Sequence, residues 1–156
     1  MNIAMAVVVS LALAVPSAVL AEDKAQVIPA HEVQAQLAQL APQARTAGSS
    51  GATLVANHGN LALKLSVRTK SGGAEIHAHY DDLMIVQQGS ATLLTGGTVI
   101  DAKTVRDGET TGSGLEGGKP QSITVGDVVI VPAGVPHQLL ISSGTLYSAL
   151  VAKIKE

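Results

Sequence analysis

The chain has 156 residues, of which 46% are hydrophobic and 14% charged, with a formal net charge of −2. This length suits one domain with a targeting segment. It contains no Cys, which excludes disulfides, thiolate zinc sites, iron–sulfur clusters and a cysteine nucleophile. It also has no Trp or Phe and only two Tyr. A near-neutral charge and so few aromatic side chains exclude a basic nucleic-acid surface and a base-stacking platform, so no nucleic-acid partner is expected.

Residues 1–21 carry no charge and are almost wholly apolar. Val19 and Ala21 are small residues just before Glu22, the first charged residue, which suits cleavage by a signal peptidase. The apolar stretch is short for a membrane span of about 20 residues, so a membrane anchor is the less favoured alternative. We predict a signal peptide and an exported mature chain, 22–156, located in the periplasm or outside the cell. Membrane contact is expected only through the signal peptide.

Residues 22–51 are predicted to form a leader, a short helix and a linker. Apolar side chains at i, i+4 and i+7 from Val33 predict an amphipathic helix over residues 30–41. The helix is expected to end before Pro42, since proline interrupts helical hydrogen bonding. A linker rich in Ala, Gly and Ser follows from Gln43.

From residue 52 onward the apolar residues recur with a period of two, which is typical of half-buried β-strands. In the run Leu61 to Arg68, apolar side chains are expected to face the core. The charged Lys64, Arg68 and Lys70 are expected to form a solvated face. Further strands are predicted at about 53–56, 74–79, 83–88, 90–95, 121–125, 127–131, 137–142 and 145–153.

Two Gly-rich segments are expected to connect these strands. The Gly-Gly pair between Thr95 and Thr98 is a hairpin signal. The polar, Gly-rich stretch 107–118 is expected to be a long hairpin or loop outside the core. Many short strands after one helix indicate an all-β sandwich or barrel in a single domain, residues 52–156.

Three of the five His residues lie in two short segments. Residues i and i+2 of a strand point to the same side, so His77 and His79 would project together and could converge on one cation. His137 follows a Pro-x-Gly turn and is expected to begin a strand. His31 and His58 have no partner by spacing, and a helix surface and a turn are their expected settings.

Both segments resemble the cupin motifs. Residues 73–89, GAEIHAHYDDLMIVQQG, resemble the first motif, a His-x-His pair, then an acidic residue, then a Gly after six more residues. Residues 126–137, GDVVIVPAGVPH, resemble the second motif of Gly, Pro-x-Gly and His, although Ile141 stands where the family often has Asn. Over roughly residues 53–153, the resemblance implies a single cupin-type jelly-roll β-barrel, here with a short N-terminal helix.

The resemblance implies three metal-binding imidazoles, those of His77, His79 and His137. The family's fourth ligand is usually Glu, and the matching residue here is Asp82, one methylene shorter and one residue closer to the His pair. Direct binding, binding through water and no binding are the three alternatives for Asp82. Asp81 and Glu75 are the alternatives, the latter because it shares strand parity with the His pair. Imidazoles and a carboxylate without thiolate suit one divalent transition metal ion: Fe, Mn, Ni, Co or Zn.

The resemblance also implies a function at such a metal. The first hypothesis is a mononuclear metalloenzyme with oxygenase-, isomerase- or lyase-like action on a small oxygenated molecule. Asp82 is a candidate general base in it when it is not bound to the metal. The alternative is a non-catalytic metal- or small-ligand-binding protein, acting as a sensor, scavenger or accessory factor. A purely structural barrel is the third hypothesis, against which the three His residues count. The pocket wall is expected to be aliphatic, and the resemblance makes a homodimer plausible through sheet edges.

Overall fold

The computed structural model describes residues 25–48, 50–106 and 108–156. The predicted signal peptide, residues 1–21, lies outside them. Among the described residues, helix α1 (Ala30–Thr46) precedes thirteen strands. No helix in this part of the chain is both long and apolar enough to cross a membrane. The prediction of an all-β architecture with one N-terminal helix is confirmed.

The strands are β1 (Ser50–His58), β2 (Leu61–Arg68), β3 (Ala74–His77), β4 (Tyr80–Gln88), β5 (Ser90–Thr95), β6 (Thr98–Ile100), β7 (Lys103–Arg106), β8 (Glu109–Gly112), β9 (Gly114–Glu116), β10 (Lys119–Thr124), β11 (Val128–Val131), β12 (His137–Leu140) and β13 (Tyr147–Lys155). Five of them form a sheet in the order β1-β2-β13-β4-β11. Six form a second sheet in the order β10-β5-β12-β3-β8-β7, and β6 pairs with β9.

The two larger sheets share one apolar core. Met84 and Val86 come from the five-stranded sheet, and Leu93 and Ile123 come from the six-stranded sheet. Tyr147 is the largest fully buried side chain, at 1% exposure. As the composition predicts, aliphatic side chains dominate this core, and burying their surface is the main favourable contribution to folding.

A second apolar cluster lies between helix α1 and strand β2. Leu40 and Ala44 of the helix pack there with Leu65 and Val67 of the strand, and all four are buried. Because successive side chains alternate across a strand, the polar side chains of β2 point the other way, into a cavity between the two sheets. These side chains are Lys64, Ser66 and Arg68. The prediction that Lys64 and Arg68 form a solvated face is therefore wrong, because the helix covers the apolar face.

Helix α1 also runs further than predicted. It includes Pro42 and ends at Thr46, so the expected linker from residue 43 shortens to three residues before β1. Pro42 cannot donate an intrahelical hydrogen bond, which normally disfavours this position. Burial of Ala41 and Ala44 on the sheet side holds the last turn in place, and the Thr46 hydroxyl donates to the Pro42 carbonyl at 3.0 Å.

The Gly-Gly segment is a turn but does not close a hairpin. Strand β5 pairs with β10 on one side and β12 on the other, which leaves no edge for β6. The Gly96 N–H donates instead to the Pro136 carbonyl at 2.8 Å. The hairpin prediction is therefore wrong, because both edges of β5 are already occupied.

The polar stretch 107–118 contains the strands β8 and β9, and β8 is part of a hairpin, one of the two predicted alternatives. Strand β8 pairs with β7 to form a hairpin, and it also pairs with β3. Glu109, the first residue of β8, is only 8% exposed. The expectation that this stretch stays outside the interior is wrong for Glu109, since strand pairing carries its carboxylate inward.

Candidate metal centre

Three antiparallel strand pairings assemble a cluster of ionisable side chains. Residues directly opposite each other on paired strands have neighbouring side chains. The pairs are Glu75 with His137, His77 with Glu109, and Asp82 with Lys153. Glu75 and His77 also share a face of β3, because they are two residues apart. The cluster is therefore a consequence of strand register.

Both imidazoles are buried and anchored through Nδ1. His77 and His137 are 7% and 6% exposed, and their ring centroids lie 5.2 Å apart. The Nδ1–H of His77 donates to Glu109 Oε2 at 2.7 Å, and that of His137 donates to the Val135 carbonyl at 3.1 Å. Each Nε2 then carries the lone pair that a metal ion binds. His77 Nε2 is buried with no hydrogen-bond partner, a costly state that indicates a ligand.

Two carboxylates face these Nε2 atoms. Glu75 Oε2 lies 3.6 Å from His77 Nε2. Asp82 Oδ2 lies 3.5 Å from His77 Nε2 and 3.8 Å from His137 Nε2. Two atoms that each bind one ion at about 2.1 Å can be no more than about 4.2 Å apart. All three separations meet this limit, and two imidazoles with carboxylates are a donor set that divalent transition metals accept.

The second oxygen of Asp82 is held by a lysine. Lys153 Nζ lies 3.0 Å from Asp82 Oδ1, as an ion pair without hydrogen-bond directionality. Lys153 Nζ also lies 5.8 Å from the centroid of the Tyr80 ring, within range of a cation–π interaction. Lys153 therefore offsets the charge of a buried carboxylate and leaves Oδ2 directed at the imidazoles.

The electrostatic environment shifts the pKa values of the two imidazoles in opposite directions. The adjacent His77 ring lowers the pKa of Glu75 to about 2. Burial opposes protonation of His77, but Glu75, Asp82 and Glu109 together raise its pKa above the usual 6.5. Burial lowers the pKa of His137. His137 is therefore ready as a neutral ligand over a wider pH range, whereas His77 must lose a proton to bind a cation.

The structure places the other predicted ligands differently. Glu75, His77 and His137 offer ligand atoms that all lie within 4.8 Å of one another. Neither Asp82 nor His79 is in this group, and a ligand role for Asp82 stays a prediction. Strand β3 ends at His77, and His79 is exposed in the following turn beside Gly108. The strand prediction over 74–79 is wrong for its last two residues, and a ligand role for His79 stays a prediction.

Asp81 has a structural contact instead. Its Oδ1 accepts a hydrogen bond from the Ala133 N–H at 2.8 Å. Ala133 lies in the turn that precedes His137, and the Gly134 N–H of the same turn donates to the His77 carbonyl at 2.9 Å. Asp81 therefore helps to position the turn from which His137 enters the cluster.

Solved structures with the same architecture decide the fold. The DMSP lyase DddQ of Ruegeria pomeroyi has a TM-score of 0.51 at 17% identity, covering 72% of this chain and 50% of that chain. The cupin domain of Schizosaccharomyces pombe Cnp3 has a TM-score of 0.52 at 9% identity, covering 69% and 65%. The chain has the cupin fold.

A third cupin-like neighbour supports this assignment. A Klebsiella pneumoniae protein with a double-stranded β-helix domain has a TM-score of 0.52 at 14% identity, covering 69% of this chain and 78% of that chain. No protein-family model and no curated protein matches the chain in sequence. The chain spans half the length of the lyase chain, so the activity of that enzyme does not transfer with the fold.

Glu109 is one of the site residues that sequence reasoning missed, and Lys153 is another. Glu109 lies in a polar, Gly-rich stretch and belongs to neither cupin motif. Only the pairing of β8 with β3 identifies it, because that register sets Glu109 opposite His77. A carboxylate that accepts the Nδ1–H of a ligating histidine fixes the ring and raises its basicity.

The cupin cavity has a volume of about 180 Å³ and a mixed wall. Its apolar part includes Met84, Leu139 and Val151. Its charged part, besides His137, comprises Lys64, Arg68, Lys153, Glu75 and Asp82. The prediction of an aliphatic wall with few polar groups is therefore wrong, because the charged face of β2 points inward.

Proposed function

We propose that this cupin binds one divalent transition metal ion and acts on a small oxygenated molecule in the adjoining cavity. The ligands in this proposal are His77, His137 and Glu75, whose ligand atoms lie within 4.8 Å of one another, and Asp82 faces them without binding the ion. The observation that carries it is the Nε2 of His77, buried without a hydrogen-bond partner and within 3.6 Å of two carboxylates. The anchored Nδ1 atoms of both imidazoles support the same reading.

A bound ion would supply Lewis-acid or redox chemistry to an oxygen atom of the substrate. The chain's own residues provide the remaining functions. Glu109 orients His77, and Lys153 holds Asp82 with one oxygen facing the imidazoles. The packed sheets bury His77, His137 and Asp82, which strengthens the electrostatic interactions among these three side chains. Asp82 is the proposed general base, because its Oδ2 is not paired with Lys153.

The reaction class follows by analogy alone. Cupin-fold neighbours include enzymes, such as the DMSP lyase, which supports an oxygenase-, isomerase- or lyase-like activity. One observation favours the second candidate, a non-catalytic protein that binds the metal or a small ligand. Both carboxylates of the described cavity have a charged neighbour, Glu75 beside His77 and Asp82 beside Lys153, and a nearby positive charge weakens a carboxylate as a base.

Elemental analysis of purified and reconstituted protein tests the metal site. The wild type is expected to retain one ion per chain, and His77→Gln and His137→Gln are expected to lose it. His31→Gln is the matched control, since His31 is exposed on helix α1. Failure of the reconstituted wild type to retain any transition metal would contradict the proposal.

Turnover measurements then distinguish an enzyme from a protein that only binds the metal or a ligand. Small diols, diketones and phenolics are incubated with the metal-loaded protein, and oxygen uptake and products are measured. Asp82→Asn with unchanged metal content is expected to abolish turnover, since an amide cannot accept the proton. Unchanged turnover in Asp82→Asn would exclude its role as a base, and tight binding without any product would favour the second candidate.

A further inference from the structure

The cavity carries more positive than negative side chains. Its wall contains the three cationic side chains of Lys64, Arg68 and Lys153, against the two carboxylates of Glu75 and Asp82. Lys153 is paired with Asp82. Any divalent ion bound by the proposed ligands would add further positive charge. The interior therefore favours an anionic ligand.

The protein offsets the charge of the two cations of β2 only in part, through a longer-range interaction of Arg68 with Glu75. Among the described residues, no carboxylate forms an ion pair with Lys64 or Arg68. Both are held on the cavity side, because the opposite face of β2 is buried under helix α1. A cation that lines a partly enclosed cavity without a partner gains most from an anionic ligand.

The backbone beside Arg68 leaves room for its guanidinium. A Cβ at position 72 would lie 2.6 Å from Arg68 Nη1, so a side chain there would displace the guanidinium. Gly73 also lines the cavity. A guanidinium presents parallel N–H donors that match the two oxygens of a carboxylate, which a lysine does not.

The remaining wall and the volume describe the rest of the ligand. Met84, Leu139 and Val151 provide an apolar surface, which suits a carbon skeleton rather than a bare inorganic anion. The volume of about 180 Å³ is comparable with the ~150 Å³ cavity that holds benzene. The ligand is therefore a small molecule with one apolar part and one anionic group.

We propose that the ligand of this cupin is a small carboxylate, whose anionic group is bound by Arg68 and Lys64 and whose other end faces His77 and His137. This inference rests on the proposed function, since it names the ligand class of the same site. Arg68 and Lys64 are specificity-determining residues in it, because they select a carboxylate over a neutral molecule of the same shape.

Calorimetric titration with matched pairs of probes tests the inference. Acetate, succinate and benzoate are each compared with the corresponding amide, which has nearly the same shape and no charge. At least one carboxylate is expected to bind the metal-loaded wild type about tenfold or more tightly than its amide. Arg68→Gln is expected to remove this preference, and Lys64→Gln to reduce it.

Two further variants act as controls. Lys103→Gln removes an exposed cation from β7 and is expected to leave the preference unchanged. Arg68→Lys keeps the charge without the paired donors and is expected to give an intermediate preference, which also covers the case in which Arg68→Gln does not fold. Metal content is measured in every variant and is expected to match the wild type.

Three outcomes would overturn the inference. One is equal affinity for all carboxylates and their amides, and another is an unchanged preference in folded Arg68→Gln. The third is inorganic phosphate that binds as tightly as the best carboxylate with the same dependence on Arg68, which would identify an oxyanion site without a carbon-skeleton requirement. Each titration is repeated on metal-free protein. Arg68-dependent carboxylate binding without retained metal would uphold the inference and contradict the proposed function. Metal retention without a carboxylate preference would contradict the inference and leave the proposed metal site standing.

Discussion

At the scale of single residues, His77 is held from one side and unpartnered on the other. Glu109 Oε2 accepts its Nδ1–H at 2.7 Å, while Nε2 has no hydrogen-bond partner. Glu109→Gln removes the charge of this acceptor and keeps its shape. Metal affinity is expected to fall about 10–100-fold, as for other residues that orient a ligating histidine. Competitive metal titration measures the change.

Glu116→Gln is the control for this substitution, because Glu116 is an exposed glutamate on β9. It is expected to leave metal affinity unchanged. The contradictory result is equal affinity in wild type and Glu109→Gln. Circular dichroism of both variants confirms that the comparison is made on folded protein.

Proton competition at His77 predicts the pH dependence of metal binding. Nearby carboxylates raise the pKa of His77 above 6.5 despite its burial, so the metal-free protein keeps this ring protonated to a higher pH than an ordinary histidine. A metal ion must displace that proton, so its affinity falls as pH is lowered through the raised pKa, by about tenfold per pH unit. Burial lowers the pKa of His137, and Glu75 has a pKa of about 2, so neither adds to this slope near neutrality.

Metal titrations from about pH 5.5 to about pH 8.5 test this slope. Glu109→Gln removes one of the charges that raise the pKa of His77. The fall in affinity is therefore expected at lower pH in that variant than in the wild type. An affinity that is constant over the whole range would refute the role of His77 as the titrating ligand.

The sequence predicts some of these residues and not others, for identifiable reasons. His77 and His137 stand out because each occupies a position in a spaced motif. His79 shares that motif, but a turn replaces the strand that would have aligned it with His77. No local pattern marks Glu109, because its role comes from strand pairing with His77, which lies 32 positions earlier in the sequence. Local patterns cannot report such register.

At the scale of elements, helix α1 is the apolar partner of β2. Leu40 is 5% exposed and packs in the cluster that contains Leu65 and Val67. Leu40→Ala leaves a cavity between helix and sheet, so the free energy of unfolding is expected to fall by about 2–5 kcal/mol. Denaturant titration measures this loss, and Gln39→Ala at the neighbouring exposed position is expected to change it by less than about 0.5 kcal/mol.

Equal free energies of unfolding in Leu40→Ala and Gln39→Ala would contradict this prediction.

The contact between helix α1 and β2 also explains the main error in the element predictions. The alternation in β2 correctly groups Leu65 with Val67, and Lys64 with Arg68. Periodicity states which residues share a face but not which face is inward. The packing of α1 decides that question, and no pattern within β2 contains it.

At the scale of the whole molecule, a metal ion would link strands that are distant in sequence. The proposed ligands come from β3 and β12. An ion that binds only the folded state stabilises it by about 2.7 kcal/mol at a free concentration of 100 times Kd. The wild type is therefore expected to unfold at a lower temperature after chelation and to recover when metal is restored. His137→Gln is expected to show the same melting temperature with and without chelator.

Export is the other prediction at this scale. The predicted signal peptide, residues 1–21, ends at a small residue before the first charges of the chain. Expression of the full chain in an exporting host is expected to yield a mature protein that begins at Glu22. Intact-mass spectrometry of the periplasmic and cytoplasmic fractions checks this, and uncleaved protein confined to the cytoplasm would contradict it. Ala21→Arg is expected to block cleavage, since the position before the cut requires a small side chain.

The packing of helix α1 on β2 affects which substitutions this protein can accept. Helix α1 supplies the apolar partners of the strand on the face opposite the cavity. Lys64, Ser66 and Arg68 are therefore open to substitution without loss of the apolar contacts that hold the strand in place. Ligand choice and structural integrity are assigned to opposite sides of a single strand, so new binding preferences can arise there while the scaffold persists.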